Sequence, residues 1–232
     1  MDSNVGEIEL SVVFPCLNEE QSVGKCVIDA RTFMADNGIK GEVIVVDNGS
    51  SDRSRIKAKH SGARVLTEKK TGYGSAIICG LMHSRGRVII FADCDLTYDV
   101  YHLSKIYEPL CKGRTDVVIG DRFCGGIDPG AMSLSHRFGV PVLSFLGRCR
   151  YHVPVRDFHC GLRGVTQSSL RYMNLKTSGM EFATEFIAEA SRNGLKIQQV
   201  PVTLHAPPKG RSSKLRTVRD GLRHVNYMIF HP

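Results

Sequence analysis

Val88-Ile89-Ile90-Phe91-Ala92-Asp93-Cys94-Asp95 carries the chain's most apolar strand straight into a pair of acids. Five consecutive apolar residues are too few for a membrane span and predict a buried strand. Strands of this kind belong to parallel sheets, where ligands sit beyond the carboxyl ends of the strands. Asp93 and Asp95 therefore stand where a site is expected. They can share a hard divalent cation with phosphate oxygens, or they can form a polar turn.

The same alternation runs outward on both sides. Ile8–Phe14, Val43–Val46, Arg64–Leu66, Arg87–Ala92 and Asp116–Ile119 read as strands. Between them Glu19–Ala35, Ser51–His60, Gly74–Ser84 and Val100–Cys111 read as helices, the first with Asn18 as N-cap and Gln21 as its capping-box partner. Strand and helix in turn predict an α/β fold with a mostly parallel central sheet and helices on both faces. After Asp121 the pattern changes. Helices are expected over Ser133–Cys149, Met180–Arg192 and Lys214–Ile229, with strands at Gly161–Val165 and Ile197–Leu204. The chain is expected to be one domain over residues 1–232, with a ligand-binding half to residue 120.

Composition excludes several classes. With 42% hydrophobic and 23% charged residues, the chain is not a disordered one. The eight cysteines include no C-x-x-C pair, which argues against a zinc site. Met1 to Glu9 is polar and acidic, unlike a signal peptide, so reduced thiols and a cytoplasmic location are expected. The net charge of +8 is uneven: from Pro201 to Pro232 there are six Lys or Arg and one acid. Such a tail suggests an anionic partner, whether phosphate, nucleotide, nucleic acid or an acidic membrane surface. No helix-turn-helix or aromatic RNA platform appears, so nucleic acid is not the expected partner.

Other strand ends carry further candidates. Phe14-Pro15-Cys16-Leu17-Asn18-Glu19 and Asp47-Asn48-Gly49-Ser50-Ser51-Asp52 can hydrogen-bond a base or ribose, or serve as turns and helix caps. Gly72-Tyr73-Gly74 lets backbone approach a ligand, but the third glycine of a dinucleotide fingerprint would fall at Ile77. Arg122 and Arg137 suit phosphate, as do Arg211 and Lys214 near the start of the last helix. Asp157 and Glu181 are candidate general bases. His205 is a candidate further metal ligand or a loop histidine. Glu181, Glu185 and Glu189 form an i, i+4 stripe whose plain reading is a solvated helix face.

Taken in order, Val13–Glu20, Val45–Asp52, Gly72–Gly74 and Asp93–Asp95 resemble glycosyltransferase family 2, with the GT-A fold. Asp121-Arg122-Phe123, the stretches Asp157–Arg163 and Thr177–Glu185, Ser213–Leu215 and Arg219-Asp220-Gly221 resemble its polyprenyl- and dolichyl-phosphate branch. The resemblance implies that Pro15, Leu17, Glu19, Asp47 and Asn48 hold a nucleotide. It implies that Asp93 and Asp95 bind Mg²⁺ or Mn²⁺ with the donor diphosphate. Asn18, Ser50, Gly72, Gly74, Cys94 and Lys214 join the donor-site candidates, and Arg122, Arg137 and Arg211 the acceptor-phosphate candidates. Thr97 stands where some relatives have a Gln, so the third metal ligand is open. Many relatives continue into membrane-spanning helices, whereas this sequence stops at Pro232. The implied activity is inverting transfer of glucose or N-acetylglucosamine from a UDP-linked donor to a phosphate-bearing acceptor. The acceptor would be lipid-linked and met from the membrane surface by the basic C-terminal helix, or a soluble hydroxyl compound. A non-catalytic nucleotide-sugar binder is the alternative from another class.

Overall fold

The structure is a computed structural model that describes residues 8–208 and 217–231. Seven strands form one sheet in the order β3-β2-β1-β4-β6-β5-β7. They are β1 (Leu10–Cys16), β2 (Gly41–Asp47), β3 (Arg64–Thr67), β4 (Val88–Phe91), β5 (Val117–Asp121), β6 (Arg163–Thr166) and β7 (Ile197–Pro201). All run one way except β6, which pairs antiparallel with both β4 and β5. The sheet is thus mostly parallel, and its one reversal lies beside the apolar strand β4. All four residues of β4 are buried, as expected of a strand covered on both faces.

The helices are α1 (Val23–Asp36), α2 (Ser54–His60), α3 (Tyr73–His83), α4 (Ser104–Cys111), α5 (Arg122–Gly125), α6 (Leu134–Tyr151), α7 (Gln167–Leu170), α8 (Phe182–Arg192) and α9 (Thr217–Phe230). In α1 the buried residues Val23, Cys26, Val27, Ala30, Phe33 and Met34 follow the 3.6-residue repeat, which docks the helix on the sheet. α3 approaches β1 and β2 so closely that a Cβ on Gly80 would collide with Val13. Ser133 caps α6 by accepting the His136 N–H at 3.3 Å.

The first helix corrects the expected capping box. Residues 19–22 form a turn, and α1 begins at Val23 after Ser22, with no side-chain cap. Asn18 has φ +51°, and its Oδ1 accepts the Ser51 N–H at 2.8 Å. Its side chain is committed to the neighbouring loop, so it cannot cap the helix. α2 and α4 likewise start three or four residues later than expected.

Candidate active site

The ends of β1, β2 and β4 open on one cleft of ≈ 480 Å³. Pro15, Leu17, Glu19, Asn48 and Gly72 line part of it. Asp93, Cys94 and Asp95 join them at the end of β4, and Arg122, Arg163, Arg219 and Arg223 complete the lining. The sheet produces this convergence, because β1, β2 and β4 are parallel neighbours and release their loops at the same edge.

Each loop is fixed by polar contacts. Asn48 Oδ1 accepts the Gly72 N–H at 2.7 Å, while its Nδ2 donates to the Glu68 and Lys70 carbonyls at 3.0 Å. The Asn18 N–H donates to Ser50 Oγ at 2.9 Å, and Asp47 Oδ1 accepts the Ser50 N–H at 3.2 Å. Asn18, Asp47 and Ser50 therefore brace the loops behind the cleft wall. Gly74 sits under Thr177 and Phe182, with no room for a Cβ.

Between the two acids, Cys94 Sγ donates to the Pro15 carbonyl at 3.1 Å and ties the ends of β4 and β1 together. Asp95 Oδ1 accepts both the N–H and the hydroxyl of Thr97. The Asp93 carboxylate lies against the Cα of Gly161, where a Cβ would collide with it. Burial and the Asp93 charge push the Tyr73 phenol well above its ordinary value, so it remains a neutral donor beside the acids. Two carboxylates facing one cleft are hard oxygen donors of the kind Mg²⁺ and Mn²⁺ take. No cluster of three or more ligating side chains exists among the described residues. His205, a candidate further ligand or a loop histidine, pairs through Nδ1 with Asp128 Oδ2 at 2.9 Å. Its backbone N–H donates to the Thr97 carbonyl at 2.9 Å. That bond keeps His205 beside the loop carrying Asp95, with its ring turned to Asp128.

The acceptor-side candidates are placed differently from what their sequence positions suggested. Asp157 has no exposed surface and binds the Arg122 guanidinium through both oxygens, at 2.7 and 2.8 Å. Burial works against the Arg122 charge, but the Asp157 carboxylate answers it, and the guanidinium stays charged at the cleft wall. Asp157 thus positions an arginine and does not itself reach the cleft. Glu181 pairs with Arg223, with Nε–Oε2 at 2.8 Å and Nη2–Oε1 at 2.9 Å. Arg137 is exposed on α6 and is not part of the cleft lining. Arg211 and Lys214 lie outside the described residues.

The Glu181, Glu185, Glu189 stripe is not a solvated face. All three residues are buried. Glu185 accepts the Lys176 and Thr177 N–H groups at 2.9 Å and the Thr177 hydroxyl at 2.6 Å. Glu189 accepts the Asn174 N–H at 2.8 Å and pairs with Arg192 at 2.6 Å. These carboxylates hold the loop ahead of α8, and that loop packs on Gly72 and Gly74. Arg163 carries no signal of its role in the sequence. It is 1% exposed and donates to the Phe158, Cys160 and Ala183 carbonyls, clamping the Asp157–Gly161 loop onto α8. Helical spacing puts Arg219 and Arg223 off the apolar face of the last helix; their place at the cleft follows only from where α9 docks.

The chain is similar to several known proteins. The family model described as glycosyl transferase family 2 matches residues 11–173. A low-salt glycan biosynthesis hexosyltransferase of Haloferax volcanii is 36% identical over 95% of this chain and 53% of its own length. The chain therefore spans about half the length of that relative. A dolichyl-phosphate hexose transferase of the same organism is 30% identical over 84% of this chain and 82% of its own. Among solved structures, glucosyl-3-phosphoglycerate synthase from Mycobacterium tuberculosis, in complex with Mn²⁺, UDP and glucosyl-3-phosphoglycerate, aligns with a TM-score of 0.74. It is 25% identical, and the alignment covers 95% of this chain and 78% of that one. With a mostly parallel sheet that releases an acid pair into one cleft, and a family match across most of its length, the chain belongs to glycosyl transferase family 2.

Proposed function

We propose that this chain moves a sugar, with inversion, from a UDP-linked donor to a phosphate-bearing acceptor, using Mg²⁺ or Mn²⁺ at Asp93 and Asp95. Residues 1–120 form the donor half and 121–232 the acceptor half. One observation carries the reading: the acid pair shares one cleft with the loops after β1 and β2 and with Arg122, Arg219 and Arg223. The related synthase that holds Mn²⁺ and UDP supports the donor and metal assignments. The relative named for dolichyl phosphate supports a phosphate acceptor, and glucose or N-acetylglucosamine is the proposed sugar.

A bound divalent ion supplies charge stabilisation to the departing diphosphate. The chain's own groups do the rest. Pro15, Leu17 and Asn48 orient the nucleotide in the cleft, and Arg122, Arg219 and Arg223 offer positive charge to phosphate there. The state of the two acceptor-side acids favours phosphate over a hydroxyl acceptor. A hydroxyl nucleophile needs a base, yet Asp157 and Glu181 are each engaged by an arginine. A phosphate oxygen is already anionic and needs no base. We further propose that the acceptor is carried on a lipid and that the enzyme meets it at the cytoplasmic membrane surface, with the basic C-terminal helix in contact. No helix among the described residues is long and apolar enough to cross a membrane.

The test is a panel of UDP-glucose, UDP-N-acetylglucosamine and GDP-mannose with Mn²⁺, read by thermal shift and by nucleotide release with and without EDTA. A UDP-sugar should stabilise the protein, and release should stop with EDTA. Asp95→Ala should lower turnover by about a hundredfold or more. Near-normal turnover in that variant would sink the metal assignment.

A further inference from the structure

Eight of the fifteen large apolar side chains exposed among the described residues lie on α6 and α9. Apolar residues exposed singly are ordinary, whereas a cluster marks an interaction surface. On α6 the buried residues are Val140, Ser144, Gly147 and Tyr151. Leu134, Phe138, Val142, Phe145 and Leu146 are 44–74% exposed, and the helical repeat places them on the opposite side. The helix has docked one face on the protein and still presents a second, apolar stripe to solvent. A surface helix that needed only water would carry polar residues there. α9 packs against α6, with Arg150 Nε donating to the Met228 carbonyl at 3.1 Å, and it adds exposed Leu222, Ile229 and Phe230.

The charge on α6 has one sign. The helix carries Arg137, Arg148 and Arg150 and no acid. The Arg148 guanidinium lies 5.7 Å from the centre of the Phe145 ring, at the margin of the stripe. We propose that α6 is an interfacial anchor whose apolar stripe seats in an anionic lipid surface, with Arg137 and Arg148 at the headgroups. This deepens the lipid-linked acceptor reading and rests on it for its purpose, though the surface itself is read from α6 alone. A second copy fits the stripe less well. A two-fold contact through α6 would bring its arginines toward those of the partner, with no acid on the helix to pair them. Anionic headgroups supply the missing charge, and acyl chains accept Phe138 and Phe145.

Cosedimentation with extruded vesicles tests this, using phosphatidylcholine alone or mixed with phosphatidylglycerol. The wild type should bind the mixed vesicles at least about tenfold more tightly, and high salt should weaken that binding. Phe138→Ser with Phe145→Ser should lower the binding by about tenfold or more. Both side chains are exposed, so the unfolding midpoint and UDP binding should hold. Arg148→Glu should weaken binding to mixed vesicles and leave phosphatidylcholine unaffected. Wild type that ignores anionic vesicles, or serine variants that bind them undiminished, would overturn the anchor. So would a wild-type dimer that the serine pair splits into monomers. The transferase reading fails separately, by absence of Mn²⁺-dependent donor turnover in the wild type, whatever the vesicles show.

Discussion

Asp157 has no solvent contact, and both of its oxygens lie on one guanidinium. Removing one member of such a pair leaves the other buried and uncompensated, at a cost of about 3–5 kcal/mol. Asp157→Asn should therefore lower the urea midpoint strongly. The loss should shrink when Arg122 is also replaced, as in Arg122→Met with Asp157→Leu. A general base would behave otherwise, with stability kept and only turnover lost. Denaturation and turnover measured on the same samples separate the two roles. Arg122 keeps its ordinary charge in the native protein, because its partner acid offsets its burial.

At the scale of elements, the loop 177–179 and the Gly72-Tyr73-Gly74 turn are packed backbone to backbone. Gly72 has φ +137°, and a Cβ on it would collide with the Ser178 carbonyl. Its N–H is the one Asn48 receives. Gly72→Ala should cost about 3 kcal/mol through strain and overlap, and should raise the donor KM about tenfold. Gly113→Ala is the control: φ is +64° there, but nothing lies within 4 Å of the added carbon, so its cost should be about 1 kcal/mol with KM unchanged. Equal effects at the two positions would mean that the packing of the two loops carries no weight. This contact also shows where the sequence was legible. The strands to β5 and their following loops were readable, because buried strands and amphipathic helices have distinct periods. The reversal of β6 was not, since a four-residue run carries no sign of direction. The glutamate stripe on α8 misleads for a related reason. Glu185 and Glu189 accept backbone N–H groups 8 to 15 residues earlier, and Glu181 pairs with Arg223 on α9, none of which an i, i+4 pattern records.

At the scale of the whole molecule, folding buries two neighbouring histidines in their neutral form. His159 lines the cleft with its ring edge-to-face on His224, centroids 4.3 Å apart. Burial above all, with the Arg122 and Arg163 charges nearby, pulls His159 well below the ordinary histidine range. Burial, then Arg163 and Arg223, pulls His224 down to about 4. In the folded chain both therefore stay neutral where the unfolded chain takes up protons. The unfolded state then binds more protons below about pH 6.5, so stability falls as pH drops from there toward about 4. The slope from His224 alone approaches about 1.4 kcal/mol per pH unit within that window. Carboxylates titrate over part of the same range, so the wild-type slope by itself does not isolate the histidine. The difference between wild type and His224→Gln does, because glutamine can still meet Thr184 Oγ1, which now bonds His224 Nδ1 at 2.8 Å. Urea unfolding at pH 7, 6 and 5 should give a shallower fall in the variant, by about 1 kcal/mol per unit. Parallel curves would show that His224 is protonated in the folded protein as readily as in the unfolded chain.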